Sequence, residues 1–286
     1  MPPHETAKQI KQLVKPLLPP VVRAALRYSM FRVSALGLTL RERASPPRSG
    51  DIPVPPPLLR NRVHGNIDLN NFLVVGQTCA ADLNRALGDI GKRLDDFDHV
   101  LEFGCGCGRV LRHLVPLSAA HHLYGTDIDQ EAVSWCCQNL PSISCGVNAP
   151  MPPLDYKDGT FDLIYAFSVF THLNEEFQFT WLRELKRVLK RGGILIATTH
   201  GAFVQNQNAG VGLLKNDDVE TLRNKGFVFK QGASETFKLD GLPAFYQTAY
   251  HTRRYIGDKW AEFFALRHYR EQGLNNHQDL VLLANE

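Results

Sequence analysis

Between residues 98 and 199 short apolar runs alternate with amphipathic stretches. Runs of this length are typical of strands buried in a parallel sheet, and the stretches between them have helical spacing. The predicted strands cover residues 100–103, 122–126, 143–147, 161–167 and 194–199, and the predicted helices cover residues 109–114, 130–139 and 175–189. Gly192 and Gly193 predict the C-terminal cap of the third helix. Alternation with short links predicts an α/β fold, a parallel sheet with helices on both faces.

The flanking regions are organised differently. Residues 1–58 form an N-terminal segment with a predicted helix over 21–36 and a proline-rich linker over 44–57, and residues 59–286 form the main domain. After the alternating region we predict helices over 217–224 and 255–263, closing strands over 264–269 and 278–283, and loops over most of 227–255. Residues 201–250 are longer than a strand connection requires. Their aromatic residues fit a substrate cap, although a surface insertion without a substrate role fits equally: Phe203, Phe237, Phe245 and Tyr246.

Charge is unevenly distributed along the 286 residues. Residues 1–50 carry nine Lys and Arg against two Glu, a net charge of +7, so the remainder carries −4 of the total of +3. A mildly acidic body argues against a nucleic-acid-binding domain. The basic residues around 17–40 are spaced as in an amphipathic helix on an anionic membrane surface, and a helix packed on the domain or on a partner subunit is the alternative. We expect no membrane span, because arginines interrupt this segment.

Six cysteines are spread along a chain whose N-terminus lacks the pattern of a secretory signal. We therefore expect reduced thiols and a cytoplasmic protein, with membrane association through residues 17–40 as the one qualification. No cluster has convincing metal-ligand spacing. Cys105 and Cys107 lie inside a glycine-rich loop where a metal would block a cofactor, so we expect no metal.

The glycine-rich loop follows the first strand of the alternating region. Glycines occupy positions 104, 106 and 108, Glu102 precedes them, and Asp127 ends the next strand. Glycines are needed where the backbone passes close to a nucleoside cofactor. The third glycine is one position earlier than in the pyrophosphate-binding pattern, where Arg109 stands. Asp127 can accept hydrogen bonds from the ribose hydroxyls of the cofactor, and it would do the same for NAD. Ile128 can provide an apolar surface for the adenine ring.

Four stretches of the chain resemble the successive motifs of class I S-adenosylmethionine (SAM) dependent methyltransferases. They are residues 100–109, 124–129, 159–173 and 185–193, and they resemble the small-molecule branch that includes ubiquinone and menaquinone methyltransferases. The resemblance covers residues 95–200. It implies a Rossmann-like seven-stranded, mostly parallel sheet whose last strand is antiparallel. It also implies SAM as cofactor, bound by Glu102, Gly104, Cys105, Gly106, Gly108, Arg109, Asp127, Ile128, Asn148, Ala149, Phe167 and Ser168. Asn148 departs from the family, which often has Asp there.

Methyl transfer to a hydroxyl requires alignment of the acceptor and removal of its proton. His172 and His200 follow the fourth and fifth strands and are the predicted catalytic bases, with a hydrogen-bonded structural role as the alternative. The predicted substrate contacts are His251, Tyr246, Asn276 and His277. A hydroxyl of a small molecule or glycan is the favoured acceptor, because Ser168 begins a segment unlike the Asn-Pro-Pro-Tyr motif used on planar amines.

Two other classes of function stay open at this level. One is a SAM-binding regulatory or scaffold protein without catalysis, and the other is an NAD(P)-dependent oxidoreductase. Binding of NAD instead of SAM would indicate the oxidoreductase. Turnover of a methyl acceptor would distinguish a methyltransferase from a SAM-binding protein without catalysis.

Overall fold

The computed structural model describes residues 20–230 and 246–286, and the side chains of those from residue 29 onward. Phe237 and Phe245, two of the predicted cap aromatics, lie outside the described residues. Within these ranges the strands are β1 (Arg48–Ser49), β2 (Ile52–Pro53), β3 (His99–Phe103), β4 (His122–Asp127), β5 (Ser144–Val147), β6 (Phe161–Ala166), β7 (Leu189–Thr199), β8 (Phe227–Lys230), β9 (Thr248–His251), β10 (Ala265–Leu274) and β11 (Gln278–Ala284).

The helices surround these strands on both sides. They are α1 (Pro20–Ala44), α2 (Pro57–His64), α3 (Leu69–Gly88), α4 (Leu111–Leu114), α5 (Gln130–Asn139), α6 (Glu175–Val188), α7 (Ala202–Gly210), α8 (Asn216–Lys225) and α9 (Arg253–Lys259). Single 3₁₀ turns lie at Leu94–Asp96, Val115–Leu117, Phe170–His172 and Trp260–Glu262.

Seven strands form one sheet in the order β10-β11-β7-β6-β3-β4-β5. The five strands from β7 to β5 pair in parallel, and β11 runs antiparallel to both of its neighbours. This architecture confirms the predicted α/β fold, a seven-stranded mostly parallel sheet whose last strand is antiparallel. Strand β3 lies between β4 and β6, so the chain leaves its carboxyl end at a switch in strand order, where open α/β sheets bind ligands.

The hydrophobic core is divided by the sheet into two layers. Val100 packs with Leu83 of α3 on one face, whereas Leu101 packs with Leu182 of α6 on the other. This division follows from the strand itself, because successive side chains point to opposite faces. The parallel pairing of β3 with β6, in which Glu102 lies opposite Tyr165, places the carboxyl ends of the two strands side by side.

Gly192 and Gly193 do not cap α6, contrary to the sequence prediction. The helix ends at Val188 and β7 begins at Leu189, so both glycines lie within the strand, where the pairing with β6 shifts register. Gly192 has a φ of 79°. The side-chain amide of Asn285 donates instead to the carbonyl oxygens of Lys186, Leu189 and Lys190, at 3.2, 2.8 and 3.2 Å. The carbonyl groups at and just after the end of the helix thus accept hydrogen bonds from a residue near the C-terminus.

The region predicted as loops over 227–255 contains a second small sheet. Strands β8 and β9 pair antiparallel, with Phe227 opposite His251. The hydrogen bond from the His251 amide to the His200 carbonyl, 3.1 Å long, ties this pair to the end of β7. Residues 201–230 and 246–251 therefore extend the carboxyl edge of the main sheet.

A buried arginine joins the N-terminal helices to each other. Arg60 of α2 is fully buried and donates to both carboxylate oxygens of Glu42 in α1, at 3.0 and 2.7 Å. It also donates to the carbonyl oxygens of Pro55 and Ile67, each at 2.8 Å. Such a fully paired buried guanidinium fixes α1 and α2 to each other. Among the helices that the structure describes, none has the length and apolar character needed to cross a membrane.

Candidate functional site

The loop after β3 is held against β4 by its own backbone. The amides of Gly104 and Cys105 both donate to the carbonyl of Thr126, at 2.8 and 3.0 Å. Gly104 and Gly106 have φ values of 82° and 51°, in the left-handed region that side chains disfavour. A Cβ on Gly104 would lie 2.3 Å from Val169, and one on Gly106 would lie 2.4 Å from Val63. Both positions therefore require glycine for conformation and for space.

Gly108 serves a different purpose from the first two glycines. A Cβ there would lie 2.8 Å from Leu140 and 3.2 Å from the Cys136 sulfur, both at α5 and its end. The early third glycine thus lets the loop pack on α5. Arg109 follows it and faces the opposite way, toward the carboxyl edge of the sheet.

Arg109 is positioned by His64 of α2. Its Nη1 donates to Nδ1 of His64 over 3.0 Å, and the other ring nitrogen of His64 bonds the Asn71 side chain. Burial lowers the pKa of His64, which favours the neutral ring that this arrangement requires. Nε of Arg109 is buried, and no residue in the described ranges accepts its hydrogen bond. Arg109 thus places a positive charge at the wall of the cleft.

Asp127 closes the loop from the end of β4. Its two carboxylate oxygens accept from the amides of Gly106 and Asp129, at 2.7 and 2.8 Å. Burial is the main influence on this carboxyl and raises its pKa. Asn148, after β5, accepts from the Thr126 hydroxyl at 2.8 Å. Asp127 keeps further lone pairs, since each carboxylate oxygen can accept more than one hydrogen bond.

Glu102 lies deeper, at the base of the loop. It accepts a 3.0 Å hydrogen bond from the Tyr165 hydroxyl, and it is 3% exposed. Burial raises the pKa of this carboxyl to about 8, against the opposing effects of the Tyr165 bond and of Arg109. A ligand that brings a positive charge would favour the ionised form.

These groups line one cleft that encloses about 970 Å³, including its open mouth. Ten of the twelve residues expected to bind the cofactor line it: Glu102, Gly104, Cys105, Gly106, Arg109, Asp127, Ile128, Asn148, Phe167 and Ser168. Gly108 and Ala149 are not among the described lining residues. Arg62 and Val63 of α2 also line the cleft, as expected if residues 62–65 fold over the cofactor. The sequence prediction missed further lining residues, among them Asp129, Pro150, Val169, Leu173 and Trp181. Only Asp129, two residues after Asp127, carried a signal in the sequence.

Ser168 lines the cleft just beyond the carboxyl end of β6. It has a φ of 60°, and its amide donates to the Thr198 hydroxyl at 2.7 Å. Its own hydroxyl accepts from the Gln278 side chain at 3.0 Å. A non-glycine residue held in this conformation is characteristic of a functional turn, because the surroundings must offset the strain.

His172 lies directly behind this end of the cleft. It stacks on Tyr246, a lining residue, with ring centroids 4.0 Å apart and planes 17° apart. Nδ1 of His172 donates to the Gln247 carbonyl at 2.7 Å, since a carbonyl can only accept. Burial lowers the pKa of His172 to about 4. The ring is therefore neutral near pH 7, with its lone pair on Nε2.

Two further imidazoles continue from His172. The ring of His200 lies 6.2 Å from that of His172, and the ring of His277 lies 6.4 Å from His200. Nδ1 of His200 donates to the Ala249 carbonyl at 3.1 Å. Burial, and then the neighbouring histidines, lower the pKa of His200 to about 3. We call His172, His200 and His277 the imidazole row; of the described residues, none of the three lines the cleft itself.

His251 and Asn276 lie away from the cleft. His251 is fully buried, donates from Nε2 to the Gln178 side chain at 3.0 Å, and packs against Tyr255 and Trp260. Asn276 is exposed in the turn between β10 and β11, with a φ of 50°. The structure therefore brings His172, Tyr246 and the rest of the imidazole row together, but not these two residues.

The chemistry of the cleft fits S-adenosylmethionine. That cofactor carries a carboxylate, an ammonium, two ribose hydroxyls and an adenine ring, and the cleft offers a cation at Arg109, carboxylates at Glu102 and Asp127, and an apolar wall at Ile128. The unused Nε of Arg109 is the observation that tests the fit, because a carboxylate is the partner it lacks. Across residues 20–230 and 246–286, no group of three or more acidic, His or Cys side chains could hold a metal.

Comparison with known proteins agrees with this chemistry. Residues 101–197 match the family model described as a methyltransferase domain. A SAM-dependent methyltransferase from Clostridium acetobutylicum is 13% identical over 72% of this chain and 90% of its own, with a TM-score of 0.49. One from Methanosarcina mazei is 18% identical over 65% and 92%, with a TM-score of 0.46. A structure described as PigF with SAH is 14% identical over 70% and 60%, with a TM-score of 0.47.

Because these structural similarities are weak, the assignment rests on the matched segment and on the loop that it builds. The matched segment contains β3, the glycine loop and Asp127, and it ends within β7. The match to a methyltransferase domain supports the predicted cofactor, S-adenosylmethionine, over the NAD(P) alternative that Asp127 alone left open. Residues 101–197 are thus similar to a methyltransferase domain, and they contain the strands and the loop that build the cleft.

Proposed function

We propose that this protein transfers the methyl group of SAM to a hydroxyl oxygen of a small molecule or glycan, and that His172 removes the hydroxyl proton. The observation that carries the proposal is the hydrogen bond from His172 to the Gln247 carbonyl. That bond directs the proton to Nδ1 and leaves Nε2 as the basic atom. The lowered pKa of His172 keeps the ring neutral, as a general base must be before it acts.

In this proposal, different residues of the cleft bind different parts of the cofactor. Asp127 accepts from the ribose hydroxyls, Glu102 balances the ammonium, and Arg109 pairs with the carboxylate. Val63 of α2 covers the loop from outside, since it lies against the Cα hydrogens of Gly106. SAM supplies a methyl group on a positively charged sulfur, and the acceptor oxygen must approach in line with the carbon–sulfur bond.

Tyr246 and Ser168 are the residues proposed to define the acceptor position. Both line the cleft, and Tyr246 lies against His172. Residues 201–250 are the proposed substrate cap, because Tyr246 enters the cleft from the end of that segment. His277 and His200 are proposed to support His172, and His200 is the second candidate base. General base catalysis of this kind contributes about 10²–10⁴-fold to the rate.

The proposed substrate is small and neither a nucleic acid nor a long peptide. The chain beyond residue 50 carries a net charge of −4, which does not favour a polyanion. The resemblance of the sequence to ubiquinone and menaquinone methyltransferases makes a ring hydroxyl the acceptor class to test first.

The acceptor can be identified directly from cell extracts. Small-molecule extracts of cells with and without the gene are compared for pairs of compounds that differ by one methylene. Extract from cells without the gene is then incubated with pure protein and SAM labelled in its methyl group. A labelled product bearing a methyl ether supports the proposal, and a labelled amine contradicts the oxygen acceptor.

Once an acceptor is found, His172→Gln tests the base. We expect kcat to fall about 10²–10⁴-fold while the Kd for SAM stays constant. His268→Gln, on a half-buried part of β10 outside the cleft, is the matched control and should leave both unchanged. If His172→Gln loses no activity but His200→Gln does, the roles of the two histidines are reversed.

A SAM-binding protein without catalysis is the alternative. It predicts normal binding of SAM and no labelled product from any extract. The strained Ser168 and the neutral imidazole row argue against it, because neither is needed to bind the cofactor alone.

A further inference from the structure

Helix α1 exposes an unusual group of large apolar side chains. Met30, Val33, Leu36 and Leu40 are 59%, 71%, 61% and 57% exposed. Eleven large hydrophobic side chains are exposed in the described chain, and four of them lie within these eleven residues of one helix. We call the four the apolar stripe. A concentration of this kind marks a surface that is covered in function.

The apolar stripe lies opposite the face by which α1 packs on the protein. At about 100° per residue, its members span an arc of about 120°, and the residues that pack lie about 180° away. The packed face includes Ala35, which is 1% exposed, and Glu42, which is held by Arg60. The stripe therefore points outward while the other face is fixed to α2.

Positive charges border the stripe on both sides. By helical spacing, Arg41 lies next to one edge of the arc and Arg43 next to the other, and both are exposed. The sequence of α1 contains five arginines and one acidic residue. That acid is Glu42, whose carboxylate accepts both hydrogen bonds of buried Arg60 on the opposite face. No acidic residue of α1 thus borders the stripe.

We propose that α1 docks this protein on an anionic lipid bilayer, with the apolar stripe in the interface and the bordering arginines at the lipid phosphates. An apolar arc flanked by arginines is the pattern of a helix lying in the membrane plane. The net charge of +7 over residues 1–50 adds electrostatic attraction. A second copy of the chain is a poorer occupant, since pairing two stripes would bring their arginines together. The proposal is independent of the methyl acceptor.

Vesicle sedimentation with the full chain tests this docking. We expect binding to vesicles of phosphatidylcholine mixed with phosphatidylglycerol, little binding to phosphatidylcholine alone, and weaker binding at high salt. The variant Val33→Asp with Leu36→Asp should bind at least about tenfold more weakly, because it places charges within the apolar arc. Arg41→Gln with Arg43→Gln should lose the preference for anionic lipid.

Matched variants control for added or removed charge. Val74→Asp with Val211→Asp alters side chains that are 60% and 72% exposed outside α1, and it should bind vesicles like the unaltered protein. Arg223→Gln with Lys225→Gln, at the end of α8, is the control for Arg41→Gln with Arg43→Gln, because it removes two positive charges outside α1. Affinity for SAM, measured by calorimetry, should be equal in all four variants and shows that they are folded.

Three outcomes would overturn the proposal. The first is no binding to anionic vesicles. The second is equal loss of binding in the control pairs, which would mean a general charge effect. The third is a dimer by light scattering that Val33→Asp with Leu36→Asp dissociates without any vesicle binding, which would assign the stripe to a second copy.

Discussion

Gly106 is where α2 closes over the cofactor loop, and replacing it by alanine tests that closure. The residue has a φ of 51°, and an added Cβ would lie 2.4 and 3.2 Å from the two methyl carbons of Val63. Gly106→Ala therefore introduces two costs, a left-handed backbone with a side chain and an overlap with Val63. The overlap exists only if α2 covers the loop as the structure shows.

The two costs have different magnitudes and can be separated. The left-handed conformation costs about 1–2 kcal/mol for a residue with a Cβ, and the overlap costs about 1–3 kcal/mol. Gly106→Ala should thus lower the free energy of unfolding by about 2–5 kcal/mol. Val63→Ala alone should cost about 1 kcal/mol, because the side chain is only half-buried.

In the double variant the overlap is removed and the backbone strain remains. Val63→Ala with Gly106→Ala should therefore cost less than the sum of the single changes, by about 1–3 kcal/mol. Gly212→Ala is the control for strain alone, since its φ is 74° and an added Cβ meets nothing within 4 Å.

Urea unfolding gives the stability of the four variants, and calorimetry gives their affinity for SAM. Gly106→Ala should also weaken SAM binding, which the double variant should partly restore because the loop can return to its position. If the single changes add to within about 0.5 kcal/mol, the contact between α2 and the loop is absent. A Gly106→Ala variant no less stable than Gly212→Ala would lead to the same conclusion.

Three further predictions address the carboxyl groups and the end of α6. Asp127→Asn should weaken SAM binding about 10–100-fold, because its amide repels the donors that the carboxylate accepts, and calorimetry against exposed Asp158→Asn checks this. The pKa of Glu102 is raised to about 8 and the SAM ammonium favours the ionised carboxylate, so SAM affinity should fall as pH drops below 8, by up to about tenfold per unit. Glu102→Gln should remove this dependence, and a flat profile for the unaltered protein would contradict the role. Asn285→Ala should cost about 1–3 kcal/mol in urea unfolding, because it leaves the Leu189 carbonyl unsatisfied, and an unchanged midpoint would mean that water replaces the bond.

Local patterns were sufficient for the central strands and for the cofactor loop. The helix predicted over 130–139 is observed at Gln130–Asn139, and the strand predicted over 161–167 at Phe161–Ala166. These segments are long enough for the period of their hydrophobic residues to distinguish a helix from a strand. The loop was recognisable because close backbone approach to a cofactor leaves glycine as the only residue that fits.

Where the prediction failed, a distant partner decided the local structure. Two adjacent glycines after a helix normally indicate its end, but here Asn285 donates to the carbonyls of Lys186, Leu189 and Lys190, and β7 begins three residues before Gly192. Strands β8 and β9 were missed because each is four residues long and gains its hydrogen bonds from the other. Short strands carry too few positions for a period to be detected.

The sequence by itself determined the α/β class, the cofactor and most of the residues that line its cleft. The class follows from side-chain periodicity, and the cofactor and the lining residues follow from the family resemblance carried by Glu102, the glycines and Asp127, all of which are local properties. Only the tertiary structure decided which of the predicted histidines lies next to a residue of the cleft. His172 was a predicted base and His251 a predicted substrate contact, but the former stacks on Tyr246 whereas the latter is buried against Gln178 and Trp260. The physical reason is that contacts between residues more than 70 positions apart depend on how the whole sheet packs.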